Sequence, residues 1–251
     1  MAYVMMGRVQ DLENLFIVGN FDAKKIRCNK RALEEAMRIE KISRSWKSRD
    51  ACSLSIVSMN IRSLSKHYQD LKVDYKVMQK DIICLQETWI TPQQEQNYKL
   101  DGFESFYTSV GKGKGLVTFS KLNVEDNISI VDINATFQLM STKVKGVTII
   151  SVYISSNCSN FETIVNFLSQ YKADKCLVIG DFNFNPKSSN KLTNYLKASN
   201  FSQLVQSATH KDGNIIDHVY VSEALSALTF VNVHYVYYSD HQGLFINIIE
   251  Q

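Results

Sequence analysis

Two apolar runs, SLSIVSMN (53–60) and DIICLQET (81–88), flank a stripe made of Leu64, Tyr68, Leu71, Tyr75 and Met78. The runs have the length and β-rich character of buried strands, and the stripe repeats at the spacing of one face of an amphipathic helix. Strand, helix and strand at this separation form a βαβ unit, whose crossover makes the two strands parallel neighbours. A chain that begins this way is committed to a sheet with helices packed on it.

The next stretch lacks helical periodicity. ESFYTS (104–109), LVTFS (116–120), NISIVDI (127–133), TFQLMSTKV (136–144) and VTIISVYIS (147–155) follow one another with turn residues between them, GKGKG (111–115) included. This predicts an antiparallel meander. A helix with Phe161, Ile164, Leu168 and Tyr171 on one face then leads into the strand CLVIG. A short helix near 189–199 and strands near 215–222, 229–237 and 244–249 complete the pattern. Strands dominate and helices intervene, so the expected architecture is α/β, two packed sheets with helices outside.

Upstream, RALEEAMRIEKI (31–42) reads as a short helix with Glu34 and Arg38 paired at i,i+4, and RSWKSRD (44–50) as a junction. The boundary separates an extension, 1–50, from the main domain, 51–251. Charge divides the same way: residues 1–50 carry 11 Lys and Arg against 7 Asp and Glu, whereas residues 51–251 carry 17 against 18. A basic groove in the main domain must therefore be local. No apolar run approaches the ~20 residues of a membrane span, and the N-terminus lacks the pattern of a secretion signal. The five cysteines show no CxxC pair and no zinc spacing, and Cys84 and Cys176 lie inside apolar runs. A reducing compartment, cytoplasm or nucleus, is the expected location.

Several strands finish in polar residues. The first ends at Asn60, the second at Gln86, Glu87 and Thr88, and CLVIGDFN at Asp181 and Asn183. Asp217 interrupts the apolar run NIIDHVYVS, and Ser239, Asp240 and His241 precede the last strand. Taken singly, each is an ordinary loop residue. Their recurrence at strand termini matches the way α/β folds assemble a site. Carboxylates and amides with one candidate histidine suit a hard cation such as magnesium, and Asp240-His241 offers an acid/base group with a neighbouring charge.

The set MNIRS (59–63), LQETW (85–89), SVYIS (151–155), IGDFN (179–183), IDHVYV (216–221) and YSDH (238–241) resembles the exonuclease–endonuclease–phosphatase superfamily in order and spacing, from Ser53 to Ile248. The branch it is most similar to is the apurinic-endonuclease-like domains of transposable elements. The resemblance implies a four-layer α/β sandwich with the site at one rim, and a DNA endonuclease that leaves a 3′-hydroxyl end. It implies Glu87 as the principal metal ligand, with Asn60 beside it, Asp240 near the metal, and magnesium or manganese as the ion. Asp181 would orient or deprotonate the attacking water, and Asn183 would hold water and phosphate. His241 would meet the scissile phosphate, oriented by Asp217, and Tyr153 would hydrogen-bond the phosphate or leaving oxygen. THKDG (209–213) is similar to a lead-in of the transposon branch, in which Thr209 would contact the DNA backbone.

Two departures stand out. Arg62, a candidate substrate contact, occupies a position where apurinic enzymes carry an acid, and Tyr153 is followed by Ile-Ser-Ser where many relatives have Arg or Pro. GKGKG, Lys143, Lys145, Lys187 and Lys191 are further candidate phosphate contacts. A phosphomonoesterase or phosphoinositide phosphatase of the same fold, and a non-catalytic DNA-binding remnant, are the rival readings.

Residues 1–40 resemble the C-terminal tail of Pif-type DNA helicases, with Arg8 matching the arginine that reaches a nucleotide γ-phosphate. No GxxxxGK[ST] loop is present, so no ATP hydrolysis by this chain alone is expected. A helicase tail joined to such an endonuclease is the order of Helitron-like elements. It implies a remnant or split product of a larger element protein, with a helicase supplied in trans as partner.

Overall fold

A computed structural model describes residues 52–132, 134–171 and 175–249. The extension, with its expected helix and Arg8, lies outside the described residues. Two six-stranded mixed sheets account for the strands.

The first sheet contains β1 (Cys52–Asn60), β2 (Ile82–Gln86), β3 (Glu104–Thr108), β4 (Leu116–Ser120), β11 (Thr229–His234) and β12 (Gly243–Ile249), in the order β11-β12-β1-β2-β4-β3. The second contains β5 (Asp126–Val131), β6 (Phe137–Val144), β7 (Val147–Ile154), β8 (Cys176–Asp181), β9 (Ser202–Gln203) and β10 (Asp217–Val221), in the order β5-β6-β7-β8-β10-β9. Among the described strands only β1–β2 and β7–β8 pair in parallel, and each of these pairs is joined by a helical crossover. The expected meander is thus divided: β3 and β4 close one sheet, and β5, β6 and β7 open the other.

Helices α1 (Leu64–Val73) and α2 (Tyr75–Met78) follow β1; α3 (Phe161–Ser169) precedes β8, α4 (Lys191–Ala198) follows it, and the short α5 (Glu223–Ser226) follows β10. The single helix expected over 64–78 is broken at Asp74. Its backbone leaves the helical region there, and its carboxylate caps α2 by accepting from the N–H groups of Lys76 and Val77. The break changes the phase of the stripe, so Val77 is buried and Tyr75 is 67% exposed.

Strand alternation sorts the side chains into layers. Val57 and Met59 of β1 pack with Leu64, Leu71 and Val77 under α1 and α2. Val178 of β8 and Val152 of β7 pack with Phe167, Leu168 and Leu196 under α3 and α4. The intervening positions meet in the layer between the sheets, where Leu54, Ile56, Ile82 and Cys84 face Ile149, Leu177, Ile179 and Val219. The result is helix, sheet, sheet, helix, the four-layer sandwich. Cys84 is buried there, which pushes its thiol up to about 12 and leaves it a packing residue.

The layer between the sheets changes character along its length. On β1 the inward positions continue from Leu54 and Ile56 to Ser58 and Asn60; on β8 they continue from Leu177 and Ile179 to Asp181. Gln86 crosses between the sheets, donating to Ser58 Oγ and Ser151 Oγ, each at 3.2 Å. The core is greasy at one end and polar at the other.

Gly180 makes this geometry possible. Its φ is +136°, and a Cβ there would lie 2.0 Å from the carbonyl oxygen of Val152, its partner on β7. The obstacle is backbone, which cannot rotate away. Gly180→Ala is therefore expected to destabilise the protein by about 3 kcal/mol or more, read as a shift of the urea unfolding midpoint with unchanged slope.

Candidate active site

The polar end of the inter-sheet layer is assembled from six strand ends. Asn60 closes β1 and is fully buried, and its Nδ2 donates to Asp181 Oδ2 of the opposite sheet at 2.9 Å. Asn183 donates to the same carboxylate, from its backbone N–H to Oδ1 at 2.9 Å and from Nδ2 to Oδ2 at 3.2 Å. Phe182, between them, points away into the α3–α4 layer and stacks on His218 with ring centroids 4.5 Å apart.

Asp217 opens β10 directly beside Asp181 in the antiparallel register. Both its oxygens lie close to His241 Nδ1, at 3.1 and 2.9 Å. That contact fixes the tautomer, so Nε2 is the ring nitrogen left for chemistry. Ser239 Oγ donates to the Asn60 carbonyl at 2.7 Å and accepts from the His241 N–H at 3.2 Å, which ties the YSDH segment to β1.

Burial pushes the Asp181 carboxyl up, and the charge of Asp217 adds to it; hydrogen bonds and His241 pull the other way, leaving it at about 7. Burial alone would lower the His241 imidazole, but the bond and charge of Asp217, with Asp181 and Asp240, raise it to about 9. Tyr153, beside Asp181 in the parallel register, is raised by burial and then by the charges of Glu87 and Asp181, so its phenol keeps its proton. Its hydroxyl donates to the carbonyl of Gly113 at 3.1 Å, which brings the GKGKG loop to the site.

Glu87 lies just past β2 with a left-handed backbone, φ 52°, and accepts from Trp89 Nε1 at 3.0 Å. Arg62 (φ 47°) and Asn183 (φ 53°) share this conformation. Strained backbone of this kind gathers at ligand sites because it aims side chains off the end of a strand. Glu87, Asn183, Asp240, His241 and Arg62 line an open groove of about 510 Å³.

Residues 57–241 match the model of the Endonuclease/Exonuclease/phosphatase family. The chain belongs to that family. Its fold is shared by a 3′ phosphatase, NExo, from Neisseria, solved with a product DNA hairpin, at 17% identity and a TM-score of 0.65, covering 79% of this chain and 100% of that one. An AP endonuclease from Archaeoglobus fulgidus is similar over 79% of this chain and 100% of its own, at 15% identity and a TM-score of 0.63. The endonuclease domain of TRAS1, a telomere-specific non-LTR retrotransposon, is similar over 78% and 98%, at 16% identity and a TM-score of 0.57. No curated protein matches the chain significantly by sequence. Among the described residues no helix is long and apolar enough to cross a membrane.

Family members are hydrolases of phosphoester bonds that use divalent metals, and the donors here fit such an ion. Glu87 and Asp240 line one groove, and Asp240 Oδ1 is buried without a hydrogen-bond partner. Asn60 Oδ1 accepts from the Arg62 N–H at 3.0 Å and keeps a second lone pair. These are hard oxygen donors. Two tighter groups, His210 with Asp240 and His241, and Asp181 with Asp217 and His241, each hold ligand atoms within 4.8 Å of one another. The second is tied internally by the Asp217–His241 contact, and Glu87 belongs to neither.

Two expectations need correction. Thr209 is fully buried, and its hydroxyl accepts from the N–H groups of Ile216 and Asp217 at 3.1 and 3.0 Å. It holds the start of β10 in place and offers nothing to a DNA backbone. Lys143 and Lys145 sit at the β6–β7 turn, the opposite end of β7 from Tyr153, because an antiparallel hairpin turns away from the strand end that carries the site.

Arg62 pairs with Asp240 and so stands in the groove, 48% exposed. Burial pushes the Asp240 carboxyl up, but the Arg62 guanidinium and His241 outweigh it and hold it below the usual range. The sequence reading missed His210. Its ring packs edge-on to His241 at 4.9 Å between centroids, and its Nε2 is 3.5 Å from Asp240 Oδ2. The signal was its place beside Thr209 in THKDG, where only the threonine drew attention.

Two outcomes follow from these contacts. Thr209→Val removes the acceptor of one buried and one part-buried N–H group, so it should cost about 1–3 kcal/mol in chemical denaturation. It should leave the salt dependence of DNA binding unchanged. In the metal-free protein the His241 imidazole should titrate at about 9 by NMR, and Asp217→Asn should bring it well below that. Because its folded pKa is raised, the pair's contribution to stability is complete below the ordinary 6.5 and is lost as pH rises through about 9.

Proposed function

We propose that the chain is a metal-dependent phosphodiesterase that nicks DNA, leaving a 3′-hydroxyl and a 5′-phosphate. One observation carries the reading: a carboxylate poised near neutrality, Asp181, and a carboxylate-held imidazole, Asp217–His241, lie within 4.8 Å of each other beside an open groove that His241 and Asn183 line. A group serving as general base works best when its pKa lies near the working pH. Asn60 and Asn183 hold the Asp181 carboxylate by three hydrogen bonds and so fix the direction from which it takes a proton from water.

The oxygen of that water forms the new bond to phosphorus as the bond from phosphorus to O3′ breaks. His241, protonated at neutral pH, presents Nε2–H to the phosphate and gives that proton to the departing 3′-oxygen. Tyr153 keeps its proton and stays a hydrogen-bond donor beside Asp181. Glu87, with Asn60 and Asp240 beside it, would hold a divalent cation, which would neutralise phosphate charge and ease ionisation of the water.

The form of the groove supports a polymer over a small ester. It is open, and it continues through Arg62, Lys211 and Asp240 into a neighbouring groove of about 650 Å³. The likeness to a retrotransposon endonuclease domain supports an origin in a transposable element, with 51–251 as the nuclease and 1–50 as the helicase-like extension. A reducing compartment, nuclear or cytoplasmic, goes with this reading.

Supercoiled plasmid with magnesium tests it. The wild type should convert plasmid to nicked circle, chelation should stop this, and Glu87→Ala and His241→Ala should each slow it by about a hundredfold or more. Nicking retained by both variants overturns the site assignment. A wild type inert on DNA that releases phosphate from a small ester replaces the endonuclease with a phosphomonoesterase.

A further inference from the structure

Beside the catalytic groove lies a second one whose lining has a different character. Tyr235 and Tyr237, in the segment joining β11 to β12, are 80% and 62% exposed. With Trp89 they surround a groove of about 650 Å³ that also carries Arg62, Lys66 and Lys211. A single exposed tyrosine is ordinary. Two exposed tyrosines and a tryptophan around one groove with three cations are not what a solvated loop requires.

Three of the aromatic side chains there, Tyr237, Tyr238 and Trp89, are held. Tyr237 packs edge-on to Tyr238 with centroids 5.0 Å apart, and its hydroxyl donates to Asp70 at 3.2 Å. Tyr238 is buried, and its hydroxyl donates to Asp74 at 3.1 Å. Trp89 is fixed through Glu87. The acids nearest the groove already have donors: Asp240 has Arg62, and Asp70 has Tyr237 and His67. What faces outward is aromatic rings and positive charge.

We propose that this groove binds unpaired nucleotides of the DNA strand that runs out of the catalytic groove. In a duplex each base face is covered by its neighbour, so exposed rings find nothing to stack on. An unpaired strand offers both bases for the rings and phosphates for the cations. The two grooves share Arg62, Lys211 and Asp240, so a strand held in one continues into the other. The substrate class this selects is DNA with a single-stranded or frayed flank at the cleaved phosphate. The inference rests on the phosphodiesterase reading above for the identity of the strand.

Fluorescence anisotropy on the full chain, with chelator present to prevent cleavage, tests it using a short labelled single strand and the matching blunt duplex. The single strand should bind more tightly. Tyr235→Ala and Tyr237→Ala should each weaken that binding by roughly tenfold and leave duplex binding in place, while Tyr235→Phe should bind as the wild type does. Single-strand binding unchanged in both alanine variants, or an equal loss on both DNA forms, overturns the inference. Plasmid nicking, measured separately with magnesium, keeps the two readings apart. A protein that nicks but shows no tyrosine dependence loses only this groove. One that shows the tyrosine dependence without nicking keeps the groove as a single-strand site and loses the nuclease.

Discussion

The hydrogen bond from Asn60 to Asp181 joins the two sheets at the place where their shared core stops being apolar. The proposed catalytic arrangement depends on that junction. Each residue lies on the inward side of its strand, in line with the leucines and isoleucines that hold the sheets together, so the greasy part of the layer fixes the position of the polar part. A carboxylate in this position is buried at the end of the core and meets the groove only through its neighbours Asn183 and His241, which line it. That is why Asp181 ionises so much less readily than a surface aspartate. The same burial would neutralise His241, and only the direct contact with Asp217 reverses it. One environment thus raises both the acid and the base, by different routes: burial lifts Asp181, and the neighbouring carboxylates lift His241 against burial.

Strain serves the same end. Arg62, Glu87 and Asn183 each leave their strand through a left-handed residue, at a cost of about 1–3 kcal/mol apiece. The return is direction, since side chains that would have continued along the strand turn over its end. Asn183 tolerates the conformation because its amide bonds locally, to Asp181 two residues before it, and it is held further by donating to the Ile154 carbonyl of β7. Glu87 has no such aptitude, and the packed sheet behind it supplies the energy.

Much of this was legible in the chain, for a definite reason. Alternation with period two is printed in residues such as Leu177, Ile179 and Asp181, and an acid in phase with core residues can only emerge at the end of the core. The βαβ unit was legible because a crossover needs helical spacing between two buried runs. Sheet membership was not: the chain from 104 to 155 reads as one meander, and nothing local distinguishes the connection that changes sheets from those that do not. The break at Asp74 escaped because a capping aspartate in mid-helix looks like a solvated one. Thr209 and His210 exchanged importance because burial, which decides between them, is a tertiary property. The threonine turned inward to two backbone donors, and the histidine came to lie against His241.

Arg62 shows how one position can change the electrostatics of a shared scaffold. Where apurinic enzymes carry an acid, this chain places a cation, and that cation pairs with Asp240. The pairing occupies Asp240 Oδ2 and leaves Oδ1 buried without a partner. With His210 and Lys211 also near Asp240, that end of the groove is close to charge-balanced. Glu87 and Asp212 are then the carboxylates lining the groove that have no Lys or Arg partner among the described residues, and a cation drawn to the site would be drawn to them. Lys66 adds a further positive charge on the other side, where the neighbouring groove begins. A main domain carrying 17 basic against 18 acidic residues has little long-range attraction for DNA. Hold on the strand must come from short-range contacts, and stacking is the one that works without net charge.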